Sequence, residues 1–206
     1  MALFRKSEDG LPHPASEGWK NIASTVALLV AAPLLAVLIT VFVFQSYEVF
    51  GLSMETTLQD GDRLIVQKLS KNWANLRGKD YVPQRNEIII FDKPASVGSG
   101  TSEVTHLIKR VIGLPGERVV VKDGKMTVFN HDSPDGFEPD SNQEWSKDIL
   151  QTPGNVDITV GAREIFVVGD NRTNSLDSRS FGAVSIDTLT GVAKLRFVPV
   201  DSFETL

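Results

Sequence analysis

From Ile22 to Phe44 the chain runs 23 residues without a charge. A helix needs about 20 residues to cross the apolar core of a bilayer. The interruptions are Ser24, Thr25, Pro33 and Thr40, all of which a membrane helix tolerates. Trp19 and Tyr47 flank the run where interfacial aromatics belong. A cleaved secretory leader would have an apolar core of about 7–15 residues ending at small side chains. Here Phe42, Val43 and Phe44 close the run, so the pattern predicts an uncleaved anchor. The polar stretch before it, with Gly10, Pro12, Pro14 and Gly18, reads as a tail. Arg5, Lys6 and Lys20 precede the span, and the first cation after it is Arg63. Cytoplasmic flanks carry the excess of Lys and Arg. The expected single-pass layout is therefore a cytoplasmic tail at 1–20, an anchor in the cell membrane at 21–45 and an extracytoplasmic domain at 46–206.

Beyond the anchor the pattern takes the short period of strands. Arg63 to Leu69 mixes apolar and polar residues in a strand-like run, and Asn86 to Asp92 holds Ile88, Ile89, Ile90 and Phe91, a buried strand. Val104 to Ile112 is another. Arg118 to Val121 and Met126 to Phe129 flank Lys122-Asp123-Gly124-Lys125, and Asp-Gly between such runs signals a hairpin. Val156 to Val160, Glu164 to Val168 and Val192 to Val200 complete the set. Few segments outside the anchor have a helical period. Residues 131–155 are rich in Asp, Ser, Pro, Asn and Gly, with Trp145 as the main apolar anchor, and read as a loop-rich subdomain inserted in the sheet. The expected fold is mainly β, with one transmembrane helix ahead of it.

Composition narrows the function classes. A length of 206 residues holds one ordinary domain plus an anchor. A net charge of -5 argues against a nucleic-acid binder. The absence of cysteine removes disulfides, thiolate zinc sites and cysteine nucleophiles together. The three histidines, His13, His106 and His131, form no H-E-x-x-H pattern, and no metal site is expected of them. His13 lies between two prolines and reads as idle. G-x-S-x-G is missing too, because Gly51-Leu52-Ser53-Met54-Glu55 ends in glutamate.

A serine can also be activated by a lysine whose amine is neutral, which burial favours. In a strand from Val104 to Ile112, alternation puts Lys109 on one face between Leu107 and Val111, and Arg110 on the other with Ile108 and Ile112. Lys109 is thus a candidate buried lysine. Periodicity alone leans to the alternative, a half-exposed face from which Lys109 reaches water. The run Gly169 to Gly182 follows an apolar strand and holds two aspartates, two arginines and three serines. It suits either a surface loop or an ion-paired network beneath an active site.

Ser53-Met54, Leu58 and Gly61-Asp62, then Lys109-Arg110-Val111-Ile112-Gly113-Leu114-Pro115-Gly116-Glu117, then Gly169-Asp170-Asn171-Arg172 through Ser175, Asp177, Ser178 and Arg179, resemble in order and spacing the motifs of bacterial type I signal peptidases. The resemblance spans roughly Phe44 to Val198. It implies a membrane-bound serine–lysine endopeptidase with an all-β catalytic domain, which removes signal peptides from exported preproteins without metal or cofactor. It implies Ser53 as nucleophile, Lys109 as general base and Ser175 as the hydroxyl that orients the lysine. Asp177 and Arg179, with Arg110, would form the supporting ion-pair network. Met54, Leu58 and Ile108 would shape pockets for small side chains. The partners implied are signal peptides and the lipid bilayer, with a place beside the secretion translocase left open. Two positions depart from the family pattern: Thr56 stands where proline is usual, and Gly51 where some members place an oxyanion-hole serine. Thr173, where aspartate is common, is a lesser departure.

On this reading the carbonyl of an extended segment, laid along a strand edge, is attacked by Ser53. Ser53 lies nine residues beyond Phe44, within about 30 Å of the bilayer surface at ~3.3 Å per residue. Two other readings share parts of the pattern. A non-catalytic β receptor or assembly factor would need the anchor and strands but not Ser53, Lys109 and Ser175 together. A self-cleaving repressor would use serine and lysine but has no need of a membrane span.

Overall fold

The computed structural model describes residues 15–42, 44–93, 105–199 and 203–206. The tail with Arg5, Lys6 and His13 lies outside the described residues, as do Val104 and Val200, the expected outer ends of two strands. The chain divides into two units, residues 1–41 and 42–206.

The first unit is helix α1, Ala15–Phe42. Its segment Gly18–Val37 is long and apolar enough to cross a membrane, and none of it is buried against protein. The helix does not follow the uncharged run. It starts earlier, just after Pro14, and stops before Phe44. The residues closing the run, Val41 to Phe44, are β-branched and aromatic and favour strand.

The second unit is built on an antiparallel sheet. Its strands are β1 (Phe44–Glu48), β2 (Arg63–Gln67), β3 (Ile88–Lys93), β4 (Thr105–Gly113), β8 (Glu164–Val168), β9 (Val184–Ser185), β10 (Leu189–Val198) and β11 (Glu204–Thr205). The order is β1-β2-β10-β3-β4-β8-β9, with β11 also paired to β10. A second, three-stranded sheet joins β5 (Arg118–Lys122), β6 (Lys125–Phe129) and β7 (Val156–Thr159) in the order β6-β5-β7. The hairpin read from Asp123-Gly124 is there. Both residues have positive φ, 53° and 78°, as a two-residue turn between twisted strands requires.

Strand β1 was not expected. Tyr47 pairs with Leu64 across the β1–β2 ladder. Two short helices were not expected either. Helix α2 (Leu69–Leu76) begins where the strand from Arg63 was to end, and α3 (Ser178–Phe181) is capped by Asp177, whose side chain accepts from the Arg179 N–H. In α2 the apolar residues Leu69, Trp73 and Leu76 recur at helical spacing, but over only two turns, and α3 is a single turn.

Three apolar clusters hold the unit together. One gathers Val49, Met54, Leu58, Leu64, Val66, Ile88, Ile90 and Ala193. A second lies around Ile89, Phe91, Val111, Ile165 and Val167. The third joins Ile112, Phe166 and Val168 of the large sheet to Val119, Val121, Met126 and Val128 of the small one, with Trp145 and Phe137 of the excursion against it. Strand β4 runs through the middle: Val111 belongs to the second cluster and Ile112 to the third. Both of its faces are therefore covered at that end.

Candidate active site

Strand β4 decides where the lysine sits. It pairs with β3 from Thr105 to Arg110, but with β8 only from Arg110 to Gly113. One edge of Thr105–Lys109 is thus left open, and Lys109 stands at the point where the strand enters the core. It is only 3% exposed. The half-exposed alternative fails because the turn bearing Ser53 closes over it. Lys109 Nζ donates to Ser53 Oγ at 2.7 Å and to the Ile108 carbonyl at 2.8 Å. Burial pulls its pKa down from 10.5 to about 8, against the opposing pull of Asp177 and Asp170.

The serine turn is fixed from several sides. The Thr57 and Leu58 N–H groups donate to the Met54 carbonyl at 3.1 and 2.8 Å, which coils the chain after Ser53. The Asn171 N–H donates to the Ser53 carbonyl at 3.1 Å, and Asn171 Nδ2 to the Leu52 carbonyl at 3.1 Å. Gly51 has φ +88°, and its N–H is held by Asp60 Oδ1 at 2.7 Å. That donor is therefore committed to the turn. Thr173 keeps a local role, donating to Asn171 Oδ1 at 3.2 Å.

Thr56 also has positive φ, +86°. Proline is locked near -65°, so this turn has no place for the usual proline of the resembled family. A β-branched residue in the left-handed region carries roughly 1–2 kcal/mol of strain. Thr56→Gly is expected to relieve it and raise the thermal midpoint by ~2–4 °C, while Thr56→Pro lowers it. Thermal unfolding of the two variants checks both.

Ser175 lies beside the pair. Its hydroxyl is buried and has no hydrogen-bond partner among the described residues, so the contact expected with Lys109 is not formed here. What brings Ser175 and Ser53 together is Gly169. A Cβ there would fall 2.6 Å from Ser175 Cβ and closer still to Ser175 Oγ and the Ser53 carbonyl. Only a residue without a side chain lets the two serines meet over this backbone.

Two buried ion pairs flank the lysine. Arg110 Nε and Nη2 donate to the two oxygens of Asp170 at 2.8 and 2.6 Å, and Thr57 Oγ1 donates to the same carboxylate at 2.6 Å. Arg110 Nη1 is satisfied by the Asn86 carbonyl at 2.8 Å. Arg179 grips Asp177 through Nε and Nη2 at 2.9 and 2.8 Å. Burial raises the Asp177 pKa, but Arg179 and the Gly169 N–H outweigh it and hold the carboxyl below its ordinary value. The nearby Ser175 hydroxyl adds a smaller push in the same direction. Arg110 thus belongs to a different pair from Asp177 and Arg179, and its partner, Asp170, went unrecognised in the sequence. Both halves of that pair lay in the quoted motifs; only their separation along the chain hid the match.

A cavity of about 370 Å³ opens beside Ser53 and Lys109. One wall is Gln45 to Phe50, the other His106 to Ile108, with Met54 and Ile90 between them. Met54 and Ile108 both line this cavity. Leu58 does not: it is 0% exposed, packed in the core cluster behind Met54, and lines no part of the cavity. His106 contributes to the wall, hydrogen-bonded to Asp92 at 2.7 Å and edge-on to Tyr47. His131 lies on the surface beside Asp132.

A buried amine on a serine hydroxyl, at the head of an open cleft, has the parts that a serine hydrolase needs. Comparison with known proteins places it further. The family described as signal peptidase, peptidase S26, matches residues 22–198. The chain is 34% identical over 173 residues to signal peptidase I T of Bacillus subtilis strain 168, covering 83% of this chain and 82% of that protein. It is 33% identical over 196 residues to the probable signal peptidase I-1 of Synechocystis, covering 94% and 91%. A crystal structure of a signal peptidase I from Enterococcus faecalis aligns at 26% identity and a TM-score of 0.41, over 55% of this chain and 98% of that one. The chain belongs to the signal peptidase family, S26. The readings as a non-catalytic receptor or a self-cleaving repressor are set aside.

Proposed function

We propose that this protein is a membrane-anchored endopeptidase that removes signal peptides from exported preproteins, with Ser53 as nucleophile and Lys109 as base. The observation that carries the reading is the 2.7 Å contact between Lys109 Nζ and Ser53 Oγ around a lysine 3% exposed. With the amine neutral, Lys109 takes the proton of Ser53, and Oγ attacks the carbonyl carbon of the scissile bond. The protonated lysine then gives that proton to the departing amine, leaving an acyl ester on Ser53. The same amine next deprotonates a water, which attacks the ester and frees the peptide and the serine. The Ser53 N–H is the backbone donor assigned to the oxyanion. Ser175 would meet the lysine once substrate displaces the Ser53 hydroxyl.

The substrate segment would lie extended in the cavity, with the open edge of Thr105–Lys109 available to its backbone. Met54 and Ile108 favour small side chains before the cut. Gly18–Val37 would span the bilayer, with the tail cytoplasmic and residues 46–206 outside, within reach of a signal peptide emerging from the translocase. Detergent-solubilised protein should cleave a preprotein, and Ser53→Ala should lower the rate by at least ~10³-fold. Cleavage by that variant at the normal rate would refute the assignment. The rate should also climb with pH through about 8, because only the deprotonated Lys109 is a base. A rate flat between pH 6 and 9 would sink the lysine.

A further inference from the structure

The excursion at 131–155 meets three arginines: Arg110 of β4, and Arg172 and Arg179 of the catalytic loop, Gly169–Gly182. The Trp145 ring lies under the Arg110 guanidinium, 4.1 Å from centroid to Cζ, and 5.9 Å from that of Arg172. Arg172 reaches out of the catalytic loop to Asp140, through Nη2 at 2.7 Å, and to Thr152 Oγ1 at 2.6 Å. Arg179 donates through Nη1 to the Pro153 carbonyl at 2.9 Å. Two of these arginines, Arg110 and Arg179, are the partners of Asp170 and Asp177.

We propose that the excursion is part of the catalytic device, with Trp145 a positioning residue that holds Arg110 on Asp170 beside the lysine–serine pair. The proposal rests on Lys109 being the base. Its physics is electrostatic. Asp170 and Asp177 both favour the ammonium form of Lys109, and each is offset by the arginine it binds. Trp145 covers the outer face of Arg110 and keeps water from it, and a desolvated cation is attracted to an aromatic face. Without the ring, Arg110 hydrates and swings. Asp170 is then less neutralised, the ammonium is favoured and less of the base is available. The other charged or titratable groups facing Lys109 are Glu48, Tyr47 and His106 across the cavity, and the excursion touches none of them. A change made at Trp145 therefore reaches the lysine through the ion pair.

The test uses the full chain in detergent with a preprotein substrate. The rate is followed from pH 6 to 10 for the wild type, Trp145→Ala, Trp145→Phe and Asp140→Asn. Trp145→Ala should move the midpoint of the rising limb up by about half a unit or more and lower kcat at pH 7 by ~3–10-fold, with KM little changed. Trp145→Phe keeps an aromatic face and should restore the midpoint. Asp140→Asn, which loosens Arg172, should shift it in the same direction by less; it serves as the probe if Trp145→Ala does not fold. Lower activity at an unchanged midpoint in these variants would make the excursion a merely structural support and overturn the proposal, as would wild-type behaviour in all of them. Lys109→Ala run alongside separates the two readings. If that variant still cleaves, the base assignment has failed; if it is dead while the midpoints stay fixed, only the role of Trp145 has.

Discussion

Lys109→Met is expected to abolish cleavage, by ~10⁴-fold or more, and yet to stabilise the protein at neutral pH. The first half follows from the only amine that contacts Ser53 Oγ among the described residues. A thioether neither accepts the serine proton nor returns it to the leaving amine, and general base catalysis of this kind is worth ~10²–10⁴ before the nucleophile's own activation is counted. The second half follows from burial. The lysine has a pKa of about 8 in the folded protein against 10.5 ordinarily. Between those values the unfolded chain binds more protons, so stability rises with pH across that window. Below about 8 the full cost of a buried ammonium is present, on the order of 3 kcal/mol. Methionine fills similar space without that cost, and the two nearby carboxylates keep their arginines. Denaturant unfolding at pH 7 and at pH 10.5 is the check: the gain should be clear at the lower pH and nearly absent at the higher. A variant less stable at pH 7 would mean that the charge is welcome where it sits.

Gly169→Ala is expected to be the most damaging single methyl group in the domain. Its Cβ has no free volume, since it would overlap the Ser53 carbonyl and the Ser175 hydroxyl. The carbonyl is pinned on its other side by the Asn171 N–H, so it cannot simply retreat. Relief must come from moving the serine turn away from Lys109. A displacement near 1 Å at a reacting group can cost ~10²-fold. Overpacking of this kind also costs ~1–3 kcal/mol. Activity should therefore fall by about 100-fold or more while the thermal midpoint drops by only several degrees, and a preprotein assay beside a melting curve shows both. Normal activity would mean that the serine turn tolerates far more movement than its hydrogen bonds imply.

The parts of this molecule that could be read from its sequence are those with a local signal. The uncharged run marks the long apolar helix, the Asp-Gly pair marks its hairpin, and Ile88 to Phe91 announce a strand buried on both sides. Strand β1 had no such mark, because its apolar first residue merges with the end of the span. Lys109 shows the limit of periodicity. Alternation gives the face a residue points to, but what covers that face is settled by a turn 56 residues away. Arg110 is the same lesson in charge. Asp177 and Arg179 lie two apart and pair as expected, whereas Asp170 lies 60 residues from its arginine and nothing local joins them. Leu58 has the right chemistry for a pocket wall, yet it sits one turn behind Met54 and faces the core. Trp145, in a stretch with no periodic pattern, carried no sign that two arginines would flank it.

The place of β1 at the start of the second unit has a practical side. A water-soluble form of an anchored enzyme is ordinarily made by cutting just ahead of its folded unit. Removing residues 1–42 deletes the span and leaves Phe44–Glu48 to complete the sheet. Starting the chain at Val49 instead strips one wall from the cleft and exposes the edge of β2, an invitation to aggregate. The window for a productive cut is therefore a few residues wide.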